Sequence, residues 1–329
     1  MEEAARWIRA EAGKGGGEGP RVQATVHLYR QQILHETAKR GAEDLRSGAR
    51  IEIRAALREG RPAERRIAAR TITELLDRVR AREMGIDLGA SVTRRLEPSW
   101  APHGTATVVF AAGSCGPLVH EIGHLFEEDR EGETAEWLPV GARIAPAGVT
   151  IIDDPSACAG RGSYAIDDEG ERPTAALLVY EGIQAGRIRI AGAGATGHAR
   201  RGSYRDLPLP RMACTILSAG NDDAGEIMRS TPEGIFVRSL RGGSADPFSG
   251  RITLTVDEAY RIEGGSLTSP VAECLLSGRA ADLLGAVDAV GRDLRFDFGA
   301  GDCHKAGQPL PVITGMPTIR IRAVDVVAP

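Results

Sequence analysis

Thr105-Ala106-Thr107-Val108-Val109-Phe110-Ala111 leads through Gly113-Ser114-Cys115-Gly116 into Pro117-Leu118-Val119-His120-Glu121-Ile122-Gly123-His124-Leu125-Phe126. The first stretch is apolar and β-favouring, the glycine-rich piece is a turn, and the last reads as a helix with apolar flanks. On a helix His120 and His124 lie about 40° apart in azimuth and roughly 6 Å apart along the axis. Two imidazoles so placed can grip one Zn²⁺, and Glu121 can reach a water on the open side of the metal. This is the machinery of metal-assisted amide hydrolysis. The pattern is short and also occurs by accident on solvated helices. Here the apolar flanks predict burial, and buried histidines need partners that a metal supplies.

Outward from this segment, the chain divides into two regions of different style. Before residue 95, short β-favouring stretches (Arg21 to His27, near Gln32 to Thr37, Ile51 to Ala56) alternate with charged turns. Arg66 to Arg82 reads as a helix with Ile67, Ile72, Leu75, Leu76 and Val79 on one face. Gly13-Lys14-Gly15-Gly16-Gly17 lacks the spacing of a phosphate loop and reads as a flexible lead-in. After residue 100 strands dominate: Thr174 to Tyr180 and Arg187 to Ala191 as a hairpin around Glu181 to Gly186, then Arg251 to Val256, Glu258 to Glu263 and Thr318 to Val327. The expected fold class is α+β. A small N-terminal α/β unit (1–98) precedes a larger, mostly antiparallel β domain (99–329), curved or barrel-like, that carries the metal-binding helix.

Composition narrows the function classes. The 329 residues carry a net charge of −4 and a sequence pI near 6.0, which gives no general attraction to nucleic acid. No apolar run reaches the ~20 residues of a membrane span, and Met1-Glu2-Glu3 is unlike a signal peptide. The five scattered cysteines do not read as a disulfide framework, so a cytoplasmic location is expected. Arginine carries nearly all the positive charge, with lysine only at 14, 39 and 305. Gly192-Ala193-Gly194-Ala195-Thr196-Gly197 matches a dinucleotide-binding fingerprint. A nucleotide-binding oxidoreductase would need a helix opening inside that motif, and His198 to Pro208 is not helical in pattern, so it reads as a glycine loop.

Several further segments follow in a fixed order: Leu118 to Asp129, Arg161 to Gly170, Leu209-Pro210-Arg211-Met212 with Thr215, Gly242-Gly243 with Ser249-Gly250 and Glu258-Ala259-Tyr260, and Cys303-His304-Lys305-Ala306-Gly307-Gln308 before Pro309-Leu310-Pro311-Val312. From Thr105 to Val327 the chain thereby resembles the TldD/PmbA (TldD/TldE) family of metallopeptidases. The resemblance implies Cys303 as third zinc ligand beside His120 and His124, with Glu121 as general base. Zinc favours nitrogen and sulfur donors, whereas a free cysteine is ordinarily a small buried hydrophobe. His304 and Glu127 are the alternative ligands. His198 or Arg201 in the glycine loop is a candidate for substrate binding.

Two features depart from the family pattern. The metal motif has two residues between Glu121 and the second histidine where the family usually has three, and the N-terminal region looks shortened. Because family members without the metal motif act as inactive partners, this chain is expected to be the metal-bearing TldD type. The resemblance further implies an enclosed cavity formed by two subunits, as a homodimer or with a TldE/PmbA-like partner. The expected function is zinc-dependent hydrolysis of unstructured peptides or a peptide conjugate, with a role in maturing a secondary metabolite. The alternative is a non-catalytic scaffold subunit holding a structural zinc closed by four protein ligands.

Overall fold

The computed structural model describes residues 6, 10, 19–36, 41–57, 61–75, 78–97, 99–128, 138–157, 160–190, 195–297, 299 and 301–327. The lead-in at Gly13 to Gly17, and Gly192 to Gly194 of the fingerprint, lie outside them.

The N-terminal region forms a three-stranded antiparallel sheet, β1 (Arg21–Glu36), β2 (Gly41–Ala56) and β3 (Ala63–Ala69), followed by helices α1 (Ile72–Leu75) and α2 (Arg78–Arg94). Strict alternation explains the central strand. Ala49, Ile51, Ile53 and Ala55 point to one face and pack with Leu75, Leu88 and Val92, while Arg50, Glu52 and Arg54 point to the other. The expected helix from Arg66 is displaced. Residues 66 to 69 complete β3, with Arg66 opposite Glu52 and Ile67 opposite Ile51, and the helical run starts later and continues to Arg94. Pairing with an already formed strand overrides weak local propensity.

The rest of the chain runs through β4 (Gly104–Phe110), α3 (Pro117–Gly123), β5 (Ile151–Asp153), β6 (Ala176–Tyr180), β7 (Ile183–Gln184), β8 (Ala199–Arg200), β9 (Leu209–Pro210) and β10 (Cys214–Leu217). Then come α4 (Ala224–Arg229), β11 (Glu233–Asp246), β12 (Arg251–Glu263), β13 (Ser266–Pro270), β14 (Leu275–Arg279), α5 (Ala280–Gly285), β15 (Val287–Val290) and β16 (Arg295–Asp297). The chain finishes with β17 (Asp302–Lys305), β18 (Gln308–Pro311), β19 (Ile313–Met316) and β20 (Ile319–Val327). Strands β11-β4-β20-β14-β12 lie side by side, and β12 pairs back with β11, which closes a five-stranded barrel. A six-stranded sheet, β16-β19-β10-β5-β6-β7, packs beside it. Apart from the parallel pairs β4–β11 and β10–β19, the pairings are antiparallel. The α+β class and the curved, barrel-like sheet are therefore as expected.

Two local differences stand out. The hairpin after β6 turns on Glu181 and Gly182 alone, both with positive φ (48° and 76°), as in a two-residue hairpin turn. Arg187 to Ile190 consequently form no return strand; Ile188 makes only an isolated bridge to Glu127. Cys214 is disulfide-bonded, which departs from the expected set of free thiols, whereas Cys115, Cys274 and Cys303 are free.

Helix α3 lies between barrel and sheet with all seven residues buried. Leu118, Val119, Ile122, Leu125 and Phe126 join Phe110 of β4 and Val237 of β11 in the main core, each such side chain contributing about 1.5–3 kcal/mol on burial. Gly123 lets the helix approach the strand side closely: a methyl there would overlap the Met212 sulfur. The N-terminal sheet docks on the barrel through ions. Glu258 of β12, only 7% exposed, accepts bonds from Arg65, Ser91, Arg94, Arg238 and Tyr260. Asp257 adds Arg95 at 2.9 Å.

Candidate metal centre

Pro117 stands in the first turn of α3, where its missing N–H costs nothing. One turn later comes His120, and the α-helix gives way to a 3₁₀ turn at His124. The two imidazole centroids are 4.8 Å apart at 76°. Cys303 arrives from 179 residues further along, on the β17–β18 hairpin. Ala306 and Gly307, at φ 50° and 76°, make its tight turn. Period-two alternation then buries Cys303 and exposes His304. The side-chain donor atoms of His120, His124 and Cys303 all lie within 4.8 Å of one another. Cys303 Sγ is 3.3 Å from His124 Nε2.

This donor set fits a metal. Both ring nitrogens of His120 are buried and neither makes a hydrogen bond of ordinary geometry, the Cys303 thiol lying beside the ring, and an orphaned buried imidazole is costly unless something occupies it. Burial pushes the Cys303 thiol up, but the adjacent His120 and His124 rings overcome that and bring it down to about 4. Burial disfavours charge on His124; the Glu127 carboxylate and Cys303 outweigh it and hold the ring well above 6.5. A soft thiolate with two imidazoles is a zinc-type set.

Neither alternative ligand joins the group. His304 is exposed, and Glu127 is already engaged. Its Oε2 faces His124 Nδ1 at 2.8 Å and accepts from Lys305 Nζ at 2.8 Å, and its Oε1 accepts from the Met212 N–H at 3.1 Å. Glu127 thus fixes the His124 ring so that Nε2 faces Cys303, the supporting role carboxylates play behind metal-bound histidines. The same contact ties α3 to the hairpin through Lys305. Arg211, wholly buried, donates to the carbonyls of Cys303 (2.8 Å) and Gln308 (3.1 Å) and pins the hairpin from behind. Sequence reasoning missed these supports, although a lysine at 305 in a chain so dominated by arginine was a signal.

Glu121 lies beside the trio, 7% exposed, its carboxyl raised above 4.5 mainly by burial. Its stem rests on Gly243 of β11; a methyl on Gly243 would start 2.7 Å from Glu121 Cγ. In front of these residues opens a cavity of about 480 Å³, bounded by α3, the hairpin, the Arg241–Ala245 stretch of β11 and the charged face of the N-terminal sheet. The structure does not bring His198 or Arg201 to its walls. His198 is fully buried, with Nε2 at 3.1 Å from Asp153 and Nδ1 at 2.9 Å from the Thr196 carbonyl. Arg201 binds Asp168 through its backbone N–H. Arg50, Arg66 and Arg241 line the cavity instead.

Residues 103–328 match the family described as the PmbA/TldA metallopeptidase C-terminal domain. The chain belongs to this PmbA/TldD family. A metalloprotease TldD homolog of Buchnera aphidicola (subsp. Acyrthosiphon pisum) is 35% identical over 232 residues, covering 68% of this chain and 48% of that protein. A zinc metalloprotease TldD homolog of Saccharolobus solfataricus is 28% identical over 248 residues, covering 73% of the chain and 55% of that protein. The chain spans about half the length of the curated relatives it matches. TldE from Thermococcus kodakarensis shares the fold, with a TM-score of 0.72 at 16% identity over 99% of this chain and 73% of that one. Among the described residues no helix is long and apolar enough to cross a membrane.

Proposed function

We propose that this chain is the metal-bearing, TldD-type subunit of a zinc-dependent peptidase acting on unstructured peptides or a peptide conjugate. The observation that carries the reading is the pair of orphaned ring nitrogens of buried His120, set against His124 and Cys303 at the floor of a cavity. His120, His124 and Cys303 would hold the zinc. Bound there, zinc acidifies water and polarises a carbonyl. Glu121 takes the proton of the attacking water on a carboxylate oxygen and returns it to the departing amine nitrogen. The shorter motif is accommodated because His124 sits where helix passes into 3₁₀ turn, with Glu127 fixing its ring.

Peptide would bind extended along the flank of β11 that faces the cavity. Among the described residues β4 covers that flank only from Ile235 to Val237, and the Leu240 N–H is taken by Ser114, leaving Arg241 to Ala245 facing the cavity. Strand addition uses backbone bonds and tolerates varied side chains. Two subunits closing over this cavity, as a homodimer or with a TldE-like partner, would exclude folded proteins, whose unfolding costs about 5–15 kcal/mol. Lack of a fourth donor among the described residues disfavours a closed structural zinc.

The test is hydrolysis of short peptides by the zinc-loaded protein, with and without a TldE-like partner. Cleavage should be abolished by chelators and by Glu121→Gln and should spare folded proteins. Full activity in Glu121→Gln would overturn the reading.

A further inference from the structure

The wall of the cavity opposite α3 carries charges that the hydrolytic chemistry does not use. Arg50 and Glu52 of β2 and Arg66 of β3 share the sheet face turned away from the apolar helices, with Arg66 directly across from Glu52. Gly301, two residues before Cys303, sits between the guanidiniums. A Cβ there would lie 3.6 Å from Arg50 Nη1 and 3.7 Å from Arg66 Nη1, ordinary contact distances that mark where the two guanidiniums come together at the cavity.

Their carboxylate partners are shared. Asp302 is shared by Arg50 (3.2 Å) and Arg161 (2.6 Å). Glu52 and Glu64 are shared by Arg54 and Arg66. Asp297 also faces Arg66, so the charges of this wall are balanced and what remains to spare is hydrogen-bonding capacity. Among the described residues Arg50 makes one hydrogen bond, through Nη1 to Asp302, and Arg66 pairs with Glu64 through Nη2. Arg66 Nη1 and Arg50 Nη2 keep donors in hand. Guanidiniums with N–H groups to spare suit a carboxylate.

We propose that Arg50 and Arg66 form a carboxylate-binding subsite of the metal cavity, one or two substrate residues from the scissile bond. The spacing follows from the chain: Gly301 and Cys303 are roughly 7 Å apart along an extended backbone, about two residues. The carboxylate is either the C-terminus of a peptide or an acidic side chain near the cleaved bond. The subsite rests on the peptidase reading of the cavity, but its binding can be measured without turnover.

Zinc-loaded Glu121→Gln protein is titrated calorimetrically with an N-acetylated alanine peptide ending in a free carboxylate, with its C-terminal amide, and with an amide carrying one interior glutamate. At least one carboxylate peptide should bind about ten-fold more tightly than the plain amide. Which of the two does so identifies the source of the carboxylate. In the same background Arg66→Gln and Arg50→Gln should bring that ratio close to one, and Arg66→Lys should restore part of it, while zinc content and melting temperature report on folding. Equal binding of all three peptides, or a preference that survives both glutamine variants, overturns the subsite. Binding preference without any cleavage by the wild-type protein would instead overturn the peptidase reading and leave the subsite standing.

Discussion

The floor and the roof of the cavity are built on opposite principles. On the floor, His120, Glu121 and Cys303 are each less than a tenth exposed, in surroundings made by Leu118, Val119, Ile122 and Phe126. On the roof, Arg50, Glu52, Arg54, Glu64 and Arg66 spread over one face of a small sheet; Arg54 and Arg66 share Glu52 and Glu64, while Arg50 reaches Asp302 of the hairpin. The floor holds a few polar atoms in fixed positions by dry packing and by supports such as Glu127 and Arg211. The roof holds many charges loosely in a wetter setting, where single pairs contribute little. Chemistry that needs fixed donor positions belongs on the first; selection of what enters belongs on the second.

The largest expected effect breaks the floor alone. His124→Ala or Cys303→Ala should lose most of about one zinc per chain, whereas Glu121→Ala should keep it, as measured by elemental analysis of purified protein. A Glu121 variant as metal-poor as the ligand variants would remove the distinction between base and ligand. Next in size is the joint between the regions. Truncating Glu258 to alanine leaves the part-exposed guanidiniums of Arg65, Arg94 and Arg238 without their carboxylate and should destabilise by about 1–3 kcal/mol in denaturant titrations, yet zinc should remain bound in the folded fraction. Burial alone would raise the Glu258 carboxyl, but the Tyr260 hydroxyl and the Arg238 and Arg65 guanidiniums hold it below its ordinary 4.5. Its contribution is therefore complete above about pH 4.5 and is lost as pH falls through the depressed folded value. An acid-unfolding profile that is unchanged in Glu258→Gln would refute this joint. The smallest effect sharpens the floor itself: Glu127→Gln keeps a carbonyl beside His124 but removes the charge, and should weaken zinc affinity about 10–100-fold in competition with a chelating dye.

What could be read from the sequence follows the same division. Four-residue spacing with apolar flanks announced the helix and its two histidines, because that information is local. The β-favouring stretch Ile51 to Ala56 announced a strand for the same reason, and lies within β2. Cys303 needed the family resemblance, since no local pattern links it to α3. Residues 66 to 69 were misread as helix because their strand exists only opposite Glu52 and Ile51. His198 was drawn toward the substrate by its glycine-rich setting, yet Asp153 and the Thr196 carbonyl claim both its nitrogens. Arg50 and Arg66 gave no sign that they line the cavity, which depends on sheet register and on a segment more than 200 positions away.

The long reach from His124 to Cys303 has a consequence for the life of the polypeptide. A chain emerging from the ribosome presents its two histidines and Glu121 early, but the thiolate comes only after the barrel strands β11, β12 and β14 have been made. Domains form as synthesis proceeds from the N-terminus. A nascent or broken-off chain that stops short of β17 has two of the three donors and none of the hairpin that Lys305 ties to Glu127. Order of synthesis therefore acts as a safety catch: the three donors cannot come together until four of the five barrel strands, β4, β11, β12 and β14, have been made.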